Sequence, residues 1–300
     1  MPDNAPSNSL SLTLIGFGEA GRTFATAGGW REAARVYDIK TDRSGMANDE
    51  MRAAYAGLGV RGCDTAREAL TGTRIVLSLV TADQATPAAQ DAAQHIAPGT
   101  LFCDLNSVSP GRKRANAAAI EAVGGRYVDV AVMAPVQPAA LTVPLLVSGP
   151  HADIAAEMLR NIGFTTIRIC GAAIGAASAT KMVRSVMIKG IEALTAEMIL
   201  AADAAGVTEG VLASLGGDWA TKADYNLDRM LAHGTRRAAE MDEVAQTLRE
   251  LGIDPLMTEG TIVRQRALGA MLHGAPMPEG LEAKLTAIKD RHSEPAIRSA

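Results

Sequence analysis

The residues best suited to chemistry form the run Gly16-Phe17-Gly18-Glu19-Ala20-Gly21, a G-x-G-x-x-G pattern. Its context gives it meaning: an alternating apolar run, 10–15, precedes it, and a helix-compatible stretch, 19–28, follows. A glycine pattern between a strand and a helix cradles a dinucleotide. Gly16 permits the tight turn, Gly18 lets the backbone approach a pyrophosphate, and Gly21 lets helix and strand pack closely. The helix N-terminus faces the phosphates with N–H groups and the positive end of its dipole. Phe17, Glu19 and Ala20 complete the loop. The competing reading is a glycine-rich turn without a ligand.

Asp38 stands 22 residues after Gly16, at the end of a second strand, 34–38. A carboxylate there accepts from the adenosine ribose hydroxyls and repels a 2′-phosphate, which favours NAD. Lys40 and Arg43 lie just downstream and offer charge to a 2′-phosphate, so NADP stays open. The strand-like run 74–80 leads to Val80 and Thr81, placed near the nicotinamide ribose. Another, 101–105, leads to Asn106 and Ser107. These two can hydrogen-bond a carboxylate or hydroxyl, or simply belong to the loop. Ser109 before Pro110 reads as a helix cap followed by proline at N1. Lys181 lies among small and apolar residues near the start of a long Ala-rich segment, 176–205. Desolvation there lowers the pKa of an amine, which suits proton exchange with a substrate hydroxyl. A surface lysine on an amphipathic helix is the plainer alternative.

The elements that must position these residues follow from the apolar pattern. Strands are expected at 126–132, 143–148 and 165–169 as well, with helices at 83–95, 110–122 and 151–161. Alternating strands and helices predict an α/β fold, a Rossmann-type doubly wound sheet with its ligand at the carboxyl ends of the strands. After Gly171 strand signals stop. Segments 176–205, 208–216, 218–231, 236–251 and 258–273 read as helices, so a Rossmann domain over 1–170 and an all-helical domain over 171–300 are expected. Gly190 is a possible kink, and the polar residues 289–300 are expected to fray.

Composition narrows the function. The chain has 300 residues, 48% hydrophobic, enough for two cores. Its net charge of -4, without a Lys/Arg-rich run, argues against a nucleic-acid or membrane-surface partner. No signal-peptide pattern or membrane-length apolar run is present, so a cytoplasmic protein is expected. Cys63, Cys103 and Cys170 are odd in number and lack a C-x-x-C pair, which argues against disulfides and structural zinc. Cys103 and Cys170 are expected as buried thiols. No His, Cys or carboxylate cluster has metal-ligand spacing.

Taken together, the motifs resemble those of the β-hydroxyacid dehydrogenases, relatives of 6-phosphogluconate and 3-hydroxyisobutyrate dehydrogenase. The resemblance rests on Gly16–Gly21, on Asp104–Pro110, on Asp129-Val-Ala-Val-Met-Ala-Pro135, and on the spacing from Gly175 to Lys181. It implies that Lys181 is the acid/base. It places Asn106, Ser107, Met133, Ala134 and Ser185 at the substrate, and implies a homodimer of helical domains. Three positions depart from the pattern: Ser185 stands for the usual Asn, Met133-Ala134-Pro135 for a Ser-Gly-Gly turn, and Asn106 for the usual hydroxyl residue. The helical domain resembles a branch with a phosphogluconate-dehydrogenase-like C-terminal domain. Two readings stand for Arg236 and Arg237 with His233: a bidentate clamp on a carboxylate, or a solvated helix start paired with Glu240. Trp219, Met230 and the other methionines read as core. An NAD-dependent oxidation of a β-hydroxy acid, or the reverse reduction, leads. An imine-reducing relative and a non-catalytic dinucleotide sensor are the alternatives.

Overall fold

A computed structural model describes residues 11–272 and 276–293. The polar stretch 1–9 and residues 294–300 of the expected fraying tail lie outside the described residues. The chain divides into two compact units, Met1–Lys181 and Met182–Ala300.

The first unit holds an eight-stranded sheet: β1 (Leu12–Ile15), β2 (Ala34–Tyr37), β3 (Arg61–Gly62), β4 (Ile75–Ser78), β5 (Leu101–Asp104), β6 (Arg126–Val132), β7 (Leu145–Ser148) and β8 (Ile167–Gly171). Their order is β3-β2-β1-β4-β5-β6-β7-β8, parallel throughout except for the antiparallel pair β6–β7. The helices are α1 (Glu19–Gly28), α2 (Met46–Leu58), α3 (Ala66–Leu70), α4 (Ala85–Ala93), α5 (Pro110–Ala122), α6 (Ala152–Asn161) and the start of α7 (Ala176–Ala204). Strands β1, β4, β5 and β7 are buried along their whole length. That is why they read as continuous apolar runs: crossover helices cover both faces of a parallel sheet. One face packs Leu12, Leu14, Val36, Leu77 and Cys103 against Phe24 and Leu159; the other packs Val76, Phe102 and Tyr127 against Ala89, Ala117 and Ile120. The fold is the expected Rossmann-type α/β sheet.

Helices α2 and α3 and strand β3 were not anticipated. They are short, or carry many polar residues. The unit boundary falls inside α7 and not at 170/171. The reason is local, because the first turn of α7 is hydrogen-bonded to buried side chains of β6 and β7.

The second unit is helical: the rest of α7, then α8 (Thr208–Leu215), α9 (Trp219–Glu250), α10 (Leu256–Met271) and α11 (Leu281–Ser293). The two helices expected at 218–231 and 236–251 are one, because Gly234 does not interrupt α9. Residues 289–293 close α11. Met182, Met230 and Met241 are buried as expected, but Met187 and Met257 are exposed. Trp219 is half-exposed at the start of α9, with the Lys222 ammonium 5.4 Å from its ring.

Gly234 of α9 and Gly269 of α10 lie against each other. A Cβ on Gly234 would sit 2.8 Å from Gly269 Cα, and one on Gly269 would sit 2.6 Å from the Gly234 carbonyl carbon. Both obstacles are backbone, so the helices would have to part. Overpacking of this kind costs about 1–3 kcal/mol or more. Gly269→Ala should therefore lower stability in urea unfolding by at least that much. Gly260→Ala on the same helix, where a Cβ meets nothing within 4 Å, should gain about 0.5–1 kcal/mol. Equal midpoints for the two variants would refute the close crossing.

Candidate active site

The glycine loop joins β1 to α1. Gly16 has φ +89, and a Cβ on it would strike the Leu79 carbonyl oxygen at 2.7 Å and Val80 Cγ1 at 2.9 Å. Only glycine lets the loop lie against the end of β4. A Cβ on Gly21 would fall 2.8 Å from the Gly16 carbonyl oxygen, so α1 starts flush with its own loop. Gly18 is different: it is exposed, and a Cβ there would meet nothing within 4 Å. It is also the N-cap of α1, and no side chain caps the helix. Open space over uncapped helix amides fits a pyrophosphate. Glu19 is exposed beside it and Ala20 half-buried. The Phe17 ring is fully buried against Tyr55, so only its backbone belongs to the loop.

Asp38 ties this loop to β2. One carboxylate oxygen accepts from the Phe17 N–H at 2.8 Å, the other from the Lys40 N–H at 3.0 Å. Each keeps a lone pair for a ribose hydroxyl. Lys40 and Arg43 are exposed nearby in the chain. Val80 is half-buried and Thr81 exposed after β4. The Arg112 guanidinium on α5 donates to the Ala82 carbonyl at 3.2 Å and so links that loop to the next helix. This chain's residues thus fit a dinucleotide at the carboxyl ends of β1, β2 and β4.

Sheet register then creates a second feature. Ser78 pairs with Asp104, Asp104 with Asp129, and Asp129 with Ser148. Four polar side chains form one row across four strands, and none is exposed to solvent. Lys113, equally buried, reaches this row from α5. Its ammonium donates to the Asp104 carbonyl at 2.6 Å and to Asp104 Oδ1 at 3.0 Å, and lies 3.4 Å from Asp129 Oδ1. Asp104 also accepts from the Asn106 N–H (2.9 Å), the Asn116 amide (3.2 Å) and the Tyr127 hydroxyl (2.7 Å). Burial and the Asp104 charge push the Tyr127 phenol well up, so it stays a donor. Asp129 accepts from the Ser148 hydroxyl (3.1 Å), the Ser178 N–H (3.0 Å) and the Ser178 hydroxyl (2.6 Å). The Ala177 N–H donates to Ser148 Oγ at 3.0 Å. A carboxylate thus caps α7, where the helix dipole favours it.

The predicted substrate residues divide accordingly. Asn106 is buried beside this row; its amide donates to Ser78 Oγ at 2.9 Å, while its Oδ1 has no partner among the described residues. Ser107 is half-buried. Ser109 caps α5 through the Arg112 N–H, with Pro110 behind it. Met133 is half-buried after β6 and Ala134 is exposed. Gly175, with φ +97, would place a Cβ 3.0 Å from Pro110 Cβ, so the α7 start abuts the α5 start. Lys181 follows on α7 and is half-buried; Ser185, four residues on, shares its helix face and is buried.

The His233 segment lies mid-helix in α9 and not at a helix start. Within the second unit the buried Arg237 guanidinium grips Glu192, which also accepts from Gln265 at 2.9 Å. Glu240 accepts from Lys189 at 2.7 Å and Arg236 at 3.1 Å. Both arginines therefore pair with glutamates of their own unit. The cysteines are free; burial pushes the Cys103 thiol up to about 12, and Cys170 is half-buried and not fully so. Sequence reasoning missed Lys113, Asn116, Tyr127, Ser148 and Ser178. A signal for them existed. Asp104 and Asp129 interrupt apolar strands, and such carboxylates need a counter-charge. Among the described residues no helix is long and apolar enough to cross a membrane, and no group of three His, Cys, Asp or Glu is placed to hold a metal.

Comparison with known proteins agrees with this geometry. Residues 11–175 match the NAD binding domain of 6-phosphogluconate dehydrogenase, and residues 202–268 match a domain of unknown function, DUF1932. A conserved hypothetical protein from Sinorhizobium meliloti is 37% identical, with 95% of this chain and 97% of that one covered, at a TM-score of 0.74. A conserved protein of unknown function, described as structurally similar to 3-hydroxyacid dehydrogenases, is 30% identical over 86% of this chain and 96% of its own, at 0.67. The 3-hydroxyisobutyrate dehydrogenase of Mycobacterium tuberculosis, solved with L-serine, shares the fold at 18% identity and 0.69, covering 86% and 94%. The chain therefore belongs to the family defined by the NAD-binding domain of 6-phosphogluconate dehydrogenase, and is a nicotinamide-dinucleotide-dependent oxidoreductase of that family.

Proposed function

We propose that the protein oxidises a β-hydroxy acid, or reduces the matching semialdehyde or keto acid, with Lys181 as the general acid/base and NAD as the cofactor. The observation that carries this reading is the junction of Gly175 with Pro110. It brings the helix that bears Lys181 to the segment that bears Asn106 and Ser107, in the unit that holds the glycine loop. The nicotinamide, when bound, gives or takes the hydride. The Lys181 amine takes the hydroxyl proton when the alcohol is oxidised and returns it when the carbonyl is reduced. The free Asn106 Oδ1 accepts from a ligand hydroxyl or amide, which relieves a buried acceptor without a partner. Ser107, Met133 and Ala134 shape the rest of the substrate site within the first unit.

The preference for NAD rests on Asp38, whose negative charge opposes a 2′-phosphate. The partner of the second unit is a second copy of the chain. Val183, Met187, Ile191 and Leu194 lie along one side of α7 at spacings of 4, 4 and 3 residues, all exposed. A lengthwise apolar stripe of this kind fits a homodimer face.

Three measurements test this reading. Initial rates with hydroxy acids and sugar acids, each with NAD and NADP, should show turnover that falls about a hundredfold or more in Lys181→Ala while NADH still binds. Full turnover in the variant would remove Lys181 from the chemistry, and reduction of cyclic imines without hydroxy-acid oxidation would replace the substrate class. The wild-type ratio of kcat/KM should favour NAD, and Asp38→Ser should erode that ratio about tenfold; a wild-type preference for NADP would reverse the assignment. Sedimentation should find a dimer that Met187→Asp converts to monomer, and a monomeric wild type would remove the partner.

A further inference from the structure

We propose that Lys113 is a positioning residue of this active site, and that its ammonium sets where Lys181 stands relative to Asn106. The inference rests on the acid/base reading of Lys181. Lys113 does no proton chemistry itself. It is fully buried, and its ammonium donates to the Asp104 carbonyl and Asp104 Oδ1 and forms an ion pair with Asp129 Oδ1 at 3.4 Å. Those acceptors lead in two directions. Asp104 holds the backbone N–H of Asn106, the residue with the free buried acceptor. Asp129 holds the N–H and the hydroxyl of Ser178, one turn before Lys181 on α7. One ammonium therefore joins the segment expected to orient substrate to the helix expected to carry the acid/base.

Charge explains why the joint is stiff. Two carboxylates lie side by side in the sheet with no access to water. Without a cation between them they would repel each other, and one would have to take up a proton. With Lys113 in place, each carboxylate is fixed by directed bonds on both oxygens. A shift of Asp104 breaks a hydrogen bond to the ammonium and a shift of Asp129 stretches an ion pair to it, so displacement at one end is felt at the other.

Lys113→Met would leave the two carboxylates uncompensated and is expected to unfold the unit, so the decisive variants are milder. Ser178→Ala removes one hydroxyl at the α7 end. Tyr127→Phe removes one hydroxyl at the Asp104 end, which has no direct bond to α7. The readout is the titration midpoint of the Lys181 amine, from competitive acetylation with acetic anhydride across pH and mass spectrometry of its peptide. NADH binding and thermal unfolding serve as controls for the fold. Both variants are expected to bind NADH within about twofold of wild type and to move the Lys181 midpoint by about half a pH unit or more. A purely structural role would change stability and leave that midpoint alone. Unchanged midpoints in both folded variants overturn the proposal. A shift in Ser178→Ala without one in Tyr127→Phe also overturns it, because the link through Lys113 is then absent. Failure of the acid/base reading is separate: it shows as full turnover in Lys181→Ala, whereas the midpoint is measured without substrate.

Discussion

The first unit depends on the balance of charge inside its sheet. Two aspartates of neighbouring strands, Asp104 and Asp129, stand opposite each other in register, wholly buried, with a single lysine between them. Removing such charges from water is costly, and only close pairing with full hydrogen bonding offsets the loss. The arrangement meets both conditions. Each carboxylate oxygen has at least one donor, and the ammonium gives two hydrogen bonds at Asp104 and an ion pair to Asp129. The sheet register, the placement of α5 and the start of α7 are thereby fixed by the same few atoms.

The nucleotide side of the site is built differently. It relies on absence of side chain and not on charge. Gly16 and Gly21 are required because backbone stands where their Cβ atoms would be, while Gly18 leaves open space above an uncapped helix. Asp38 then stitches the loop to β2 through two backbone amides. Backbone donors held by glycine packing suit a diffuse phosphate charge. The carboxyl ends of β5 and β6, by contrast, carry side chains and backbone held by directed hydrogen bonds.

The helical unit follows a third rule. Its core comes from Ala, Leu, Ile and Met on α7, α9, α10 and α11, and α9 and α10 close to backbone contact at Gly234 and Gly269. Its buried Arg237 and Glu192 pair with each other. Charges that look functional in a linear reading are there occupied by one another.

The sequence by itself determined the fold class, the glycine loop, the carboxylate at the end of β2 and the long helices. All of these rest on contacts close in the chain or on apolar periodicity. It also marked Asp104–Pro110 and Gly175–Lys181 as segments of interest. It merged or split elements wherever a local signal misled, as at Gly234, where glycine serves packing and does not end a helix. It left out α2, α3 and β3, which are polar or short. Only the tertiary structure decided that Lys113, Tyr127, Ser148 and Ser178 form one buried network. Their partners lie 9 to 49 residues away in the chain. Sheet register, which aligns Ser78, Asp104, Asp129 and Ser148, arises from pairing between strands. The same holds for Arg237, whose partner Glu192 on α7 lies 45 residues away in the chain. Periodicity tells which side of an element is buried; it does not tell which charge will be found there to meet it.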